Sequence, residues 1–421
     1  MKKILITLIA ATLVIALSAC GGSKEPTTLV IASAFAREVS EKEIYQREIF
    51  APFEEEHNVK IEFTTFTEVG ALFDKIDTEQ QSGEVVTDLV IAHYSDMINF
   101  IGNNDYMVGL NDLENEMSDR TFSSAFDSST NHNGERYFFP INTDVYLSIA
   151  RNEAFDFLPD GLTEAEVLAG DYTWDDFVDW VDGTNVKTAI KGESGRLIIY
   201  QIGGMALSNT DSIPGTFPAL NTAANQKAWL DILEMYNKGG IHPQSTTINS
   251  CQELLESGAI QIAFEHQSVV GLTYDGAPAQ FKVFPGPKGT SGKAGTIAGG
   301  HGIGIVKDSE NQELAAEFIK WMTAKEQIVD AALGSIPPLA EAIDALGSSP
   351  AEEVIRQGIS TIQNANVEGL QMIPEYTEWG GVKAVSDAVF AELMAGDFDS
   401  DQALLDRLDV AQAELDALKI D

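Results

Sequence analysis

Cysteine is nearly absent from this sequence. Only Cys20 and Cys251 occur in 421 residues, so a small disulfide-stapled scaffold is excluded. Basic charge is also scarce: 26 Lys and Arg stand against 65 Asp and Glu, a formal net charge of −39. Such a surface repels nucleic acid and anionic lipid. It also fits a saline habitat. The six histidines are scattered singly, with no H-E-x-x-H and no G-x-S-x-G, so the common zinc-protease and serine-hydrolase signatures are missing. No metal site and no cofactor is expected. Past the first twenty residues no apolar run reaches the ~20 needed to span a bilayer.

The exception at the start sets the compartment. Lys2 and Lys3 precede the apolar run ILITLIAATLVIAL, and LSAC closes it at Cys20. The run is too short for a membrane helix and reads as a signal peptide over 1–19. L-[AS]-[AG]-C resembles the bacterial lipobox, which implies lipidation of Cys20, and residues 20–27 then serve as a flexible tether. Cys251 is left without a partner and is expected as a small buried apolar side chain. Removing Lys2 and Lys3 takes the charge to −39 − 2 = −41.

Glycine is plentiful in FPGPKGTSGKAGTIAGGHGIGI, residues 284–305. A phosphate loop needs G-x-x-x-x-G-K-[ST], but Pro287 stands at the first glycine position and Ala294 follows Lys293. Gly302 and Gly304 lead into Val306 and Lys307, so the dinucleotide fingerprint fails too. DFDSDQALLDRL, from 397, opens like a calcium loop, yet Gln402 and Leu408 occupy its glycine and glutamate positions. Helix capping is the expected role there.

About 400 mature residues suit two domains rather than one core. TLVIAS, VKIEFTTF and TDLVIAHY alternate with helical EKEIYQREIFAPFEEEH and a stretch around Leu72 to Ile76, a β-α-β-α-β pattern of parallel α/β type. Thr173 with Asp176, and Ser309 with Gln312, are expected to cap two later helices. NTAANQKAWLDILEMYNKGGI reads as a helix stopped by Gly239-Gly240, GAIQIAFE as a strand, and 376–419 as mostly helical. Trp174, Trp180, Trp229 and Trp321 are expected in the core.

In order and spacing these segments resemble the extracellular solute-binding proteins of ATP-driven importers, in the carbohydrate-type family that includes maltose-binding protein. The resemblance covers essentially the whole mature chain. It is carried by TLVIASAF, SGEVVTDLVIAHYSD, NGERYFFPINTDVYLSIARNEAF, YTWDDF, LESGAIQIAFE, the glycine-rich return into GIVKDSENQELAAEFIKWM, and GSIPP. It implies a two-lobed type II periplasmic-binding-protein fold, each lobe a mainly parallel sheet flanked by helices, with a ligand cleft between lobes. The expected lobes are 28–140 with 298–336, and 141–297 with 337–421. The implied function is capture of a sugar or oligosaccharide by a monomeric, lipid-anchored extracytoplasmic protein. Its partners are the solute and the permease and ATPase subunits of an ABC importer; it touches the membrane through the anchor alone. A lobe that signals to a membrane sensor, or a carbohydrate-active enzyme, remains the alternative.

The expected ligand contacts are Phe35, His93, Tyr94, Asp144, Glu265, Gly299, Gly300, His301 and Trp379. Polar side chains would hold hydroxyls and aromatic faces the C–H surface of a sugar. Gly299 and Gly300 would let the backbone approach the solute. One departure bears on the substrate: the family's aromatic platform after the GAIQIAFE-type strand is replaced by Glu265-His266-Gln267-Ser268.

Overall fold

The protein is described by a computed structural model covering residues 26–37, 39–66, 69–101, 104–122, 127–195, 198–212, 216–344, 346–369, 376 and 379–419. The expected signal peptide and Cys20 fall outside these residues.

The three opening strands form where the apolar runs place them: β1 Thr27–Ser33, β2 Val59–Thr65 and β3 Leu89–His93. They run parallel, with Ile31 opposite Phe63 on one side and Leu89 on the other. Leu29, Ile31 and Ala32 are fully buried, as expected of a strand covered on both faces. Residues 39–57 are helical, but 45–50 form a π-helical segment. Pro52 explains this, because it lacks the N–H that a regular ladder would supply one turn later. The wider turn brings Tyr45, Ile49, Phe50 and Phe53 to the sheet and leaves Ile44 half-buried.

A two-strand hairpin, β4 Asn131–His132 and β5 Glu135–Arg136, precedes β6 Phe139–Asp144. β6 passes through Val145 directly into β7 Tyr146–Arg151. In the second sheet β7 lies between β8 Ile262–His266 and β9 Phe281–Phe284, antiparallel to both. This corrects the expectation of a mainly parallel sheet in each lobe. β8 and β9 share a direction and flank helix Gln267–Gly276, but β7 arrives from the first sheet and enters between them head to tail.

β10 Gly295–Ile305 returns across the boundary. Its first residues pair in parallel with β11 Asn366–Gly369, and its last five pair antiparallel with β3. On its other edge, Gly299 to Ile303 pair antiparallel with β6. Helix Gln312–Met322 then packs Phe318, Ile319 and Met322 into the first core.

Local signals mostly hold. Thr173 caps its helix in a reciprocal box with Asp176, and Ser400 caps helix Asp401–Asp416, so the calcium-like stretch is a cap. Ser309 does not cap: Asn311 occupies that position, and the Ser309 hydroxyl donates to Asp88 Oδ1 at 2.6 Å. Trp174, Trp180 and Trp229 are buried, while Trp321 is half-buried with its indole N–H on the Ile49 carbonyl. Cys251 is fully buried. No helix among the described residues is long and apolar enough to cross a membrane.

Candidate functional site

The ends of β3, β6, β8 and the middle of β10 meet along the seam between the sheets. On the first-sheet side His301 is the hub. Its register partners are His93 on β3 and Asn142 on β6, so the three side chains share one face. The His301 and His93 rings meet edge to face at 5.1 Å, and Phe35, just past β1, stacks on His301 at 4.2 Å. Asn142 Oδ1 accepts from the His301 backbone N–H at 2.8 Å.

Asp144 lies where β6 leaves this sheet. Its Oδ2 accepts from the Ser335 hydroxyl at 3.0 Å and stands 3.9 Å from His266 Nε2, while its Oδ1 is buried without a hydrogen-bond partner. Burial pushes its carboxyl up to about 7, against the pull of Ser335 and Lys191. GSIPP docks here too, since Thr143 and Ile336 exchange both backbone bonds at 2.9 Å.

The histidines are held neutral. Burial lowers His93 to about 4, helped by Lys383 and Arg37. It lowers His266 to about 3, helped by Lys191 and His93. His301 falls well below the usual range through burial, then His93, Arg37 and His266.

On the second-sheet side His266 pairs in register with Tyr146, and their rings meet edge to face at 5.7 Å. Beneath them Lys191 and Glu265, both fully buried, form an ion pair, and the Lys191 ammonium lies 4.9 Å from the centre of the Tyr146 ring. Burial pulls the ammonium down, but the Glu265 carboxylate and Tyr146 outweigh it and hold it above the ordinary lysine range. The expected ligand contact at Glu265 is therefore corrected. Its oxygens face Lys191, the Cys251 N–H at 3.0 Å and the His266 N–H, so it builds the turn that carries His266.

Two further expectations change in the same way. Tyr94 is buried with its hydroxyl on the Asn142 carbonyl at 2.8 Å. A Cβ on Gly300 would collide with that carbonyl and come within 2.6 Å of the Tyr94 ring, so Gly300 makes room for Tyr94 rather than for solute. Gly299 is half-buried and its carbonyl accepts from Thr143 Oγ1 at 2.6 Å. Trp379 opens helix Trp379–Ala395 half-buried, with its indole N–H donating to Tyr200 Oη at 2.6 Å and Phe217 at 5.9 Å.

Asn142, Lys191, Tyr200, His266 and Ser335 were not expected at the site. Asn142 and Ser335 sit inside segments that carried the resemblance, and His266 adjoins Glu265; Lys191 and Tyr200 gave no signal. Among the described residues no group of three His, Cys, Asp or Glu is arranged to hold a metal ion.

Comparison with known proteins is consistent with this geometry. The model of a family described as bacterial extracellular solute-binding protein matches residues 48–354. No curated sequence matches this chain. Among solved structures, maltose-bound MalE3 of T. maritima is 15% identical, with a TM-score of 0.71, covering 92% of this chain and 100% of that one. The GacH receptor of Streptomyces glaucescens, solved unliganded and with acarbose, is 16% identical with a TM-score of 0.70, covering 93% and 98%. UgpB of Mycobacterium tuberculosis, with glycerophosphocholine, is also 16% identical with a TM-score of 0.70, covering 93% and 99%. At these identities the likeness shows the fold, which is the type II periplasmic-binding-protein fold.

Proposed function

Because this chain belongs to the bacterial extracellular solute-binding protein family, we propose that it captures a sugar or oligosaccharide between two lobes and delivers it to an ABC importer. The observation that carries this reading is the Asp144 carboxyl group, buried at the crossing with Oδ1 unpartnered, beside the His266 imidazole of the second sheet. A solute hydroxyl supplies the donor that oxygen lacks. Phe35, His93, Asp144, His301 and Trp379 are the contacts, joined by His266; Tyr94, Gly300 and Glu265 back them. The solutes of the structural neighbours, maltose and acarbose among them, support a saccharide.

The lobes are 28–140 with 298–336, and 141–297 with 337–421. The change of partner along β10, from β11 at Ala298 to β6 at Gly299, supports the return boundary at 298. The pairing of Asn142, Thr143 and Asp144 with β10 argues for an outgoing boundary past Asp144 rather than after 140. Cys20 carries the lipid anchor on the strength of LSAC, and Cys20→Ser abolishes fatty-acid labelling; unchanged labelling overturns the anchor. Solute closes the lobes by contacting both. A thermal-shift screen of a carbohydrate panel tests the function, since a ligand at 100 times its Kd adds about 2.7 kcal/mol. A panel with no hit, alongside a non-sugar that binds, overturns the sugar reading.

A further inference from the structure

Five carboxyl groups are buried among the described residues: Glu79, Asp88, Asp144, Asp231 and Glu265. Lys75, Lys227 and Lys191 pair with Glu79, Asp231 and Glu265, while Asp88 accepts from the Val30 N–H, Ser309 and Asn311. Asp144 differs. One neutral hydroxyl donates to it, His266 Nε2 at 3.9 Å belongs to a neutral imidazole, and Oδ1 is buried without a partner. That hydroxyl ends a relay with a fixed direction. The His301 backbone N–H can only donate, so Asn142 presents Oδ1 to it at 2.8 Å and turns Nδ2 to the Ser335 oxygen at 3.4 Å. Ser335 accepts there and donates to Asp144 Oδ2 at 3.0 Å. With Oδ2 committed as an acceptor, the proton of the neutral carboxyl belongs on Oδ1. The turn that carries buried Ser335 is held from both sheets. Leu333 and Gly334 take consecutive left-handed conformations, φ 50° and 79°, and Ile336 pairs with Thr143 of β6. The Gly334 carbonyl accepts from Gln267 Nε2, just past β8, at 3.5 Å.

We propose that capture exchanges a proton for solute at Asp144 Oδ1, and that Ser335 is the positioning residue that confines the exchange to that oxygen. This rests on the sugar reading above. In the solute-free protein a buried carboxyl with one neutral donor keeps its proton, because burial disfavours the charge. A solute hydroxyl that donates to Oδ1 favours the carboxylate and sends the proton to solvent. Burial pushes this carboxyl to about 7. The titratable groups around it keep their charge between pH 5 and 8. His93 of β3, His266 of β8 and His301 of β10 are lowered, and Tyr94 and Tyr146 are raised. Lys191 beneath is matched by Glu265, and the turn from Leu333 to Pro338 carries no titratable side chain.

The test is calorimetric titration of the whole purified protein with the neutral sugars of the carbohydrate panel, maltose and maltotetraose among them. It is run near pH 6 in two buffers of different ionisation enthalpy, where the sugars themselves do not titrate. A sugar that binds releases about one proton per protein, and its affinity weakens about tenfold or more from pH 8 to pH 5. Ser335→Ala moves that acid loss about one unit to higher pH, because the carboxylate loses its donor, and Ser335→Thr returns it. Binding without proton release, or with proton uptake, overturns the exchange and leaves the sugar reading standing. Weaker binding by Ser335→Ala at an unmoved midpoint overturns the role of Ser335. Carbon-13 NMR of the aspartate carboxyls, with Asp144→Asn assigning the signal, follows the proton without any solute. An Asp144 already ionised at pH 5 overturns the exchange whatever binds. A carboxyl that titrates near neutrality while no sugar binds keeps the proton seat and overturns the sugar.

Discussion

β6 enters β7 through Asn142, Thr143, Asp144, Val145 and Tyr146, whereas β10 makes the neighbouring passage through Thr296, Ile297, Ala298, Gly299 and Gly300. The two spans lie in register, Asp144 opposite Gly299 and Thr143 opposite Gly300. One contributes side chains and the other contributes space. Thr143 Oγ1 donates to the Gly299 carbonyl, and the Tyr146 backbone N–H donates to Thr296 Oγ1 at 2.8 Å. Two side-chain-rich spans at this separation would collide, and two glycine-rich ones would carry no chemistry. The difference divides the labour between polar side chains and close packing.

The side-chain-rich span rests on a buried charge pair, so the largest effect is expected beneath it. Lys191→Met strands the Glu265 carboxylate and costs about 3–5 kcal/mol in urea unfolding, whereas Lys191→Met with Glu265→Leu regains most of it. Equal losses in the single and double variants would show that the pair itself does not matter.

Asp144 gives the same span a pH signature. Its folded value, about 7, lies above its unfolded 3.8, so its contribution is full below 3.8 and lost as pH rises through 7. His93 and His266, near 4 and 3 against 6.5, contribute fully above 6.5 and lose that as pH falls. The two trends oppose each other between pH 4 and 6.5. Asp144→Asn removes only the first, so stability of the solute-free variant climbs more steeply with pH than that of the parent. Between pH 5 and 8 the variant gains about 2–3 kcal/mol on the parent. Parallel pH curves would contradict this account of the carboxyl.

Gly300→Ala asks the space-giving span to carry a side chain. The methyl meets the Asn142 carbonyl and the Tyr94 ring, and the expected cost is about 2 kcal/mol of stability with weaker solute binding. Outside both spans, exposed Lys293 is the control. Lys293→Ala keeps solute affinity within about threefold, below ~0.7 kcal/mol, and neither ATP nor GTP shifts the melting temperature.

Much of this comparison could be read from residue patterns. Short apolar runs located β1, β2 and β3, and the Thr173–Asp176 spacing located a helix start, because both signals are local. The antiparallel placement of β7 was not legible, since direction within a sheet depends on where the chain comes from. Asp144 and His301, which the fold brings to the seam, lie in recognisable segments. Lys191 was not: its partner lies 74 residues away, and a buried lysine has no signature distinct from a solvated one. Gly300 was found for the wrong reason. A glycine announces that something comes close, and only coordinates reveal that the neighbour is Tyr94.

That β10 is the strand between β3 and β6 also sets a timetable. β6 is complete at Asp144, but the strand that pairs its edge and that of β3 begins at Gly295 and ends at Ile305. At about 5–20 residues per second, the ribosome takes roughly 8–30 seconds to make that stretch. Through that interval the first sheet holds β3 and β6 without the strand that joins them, an exposed edge of the kind that invites wrong partners. A nascent chain stopped before Gly295 should therefore bind holding chaperones strongly, and one extended past Met322 should release them.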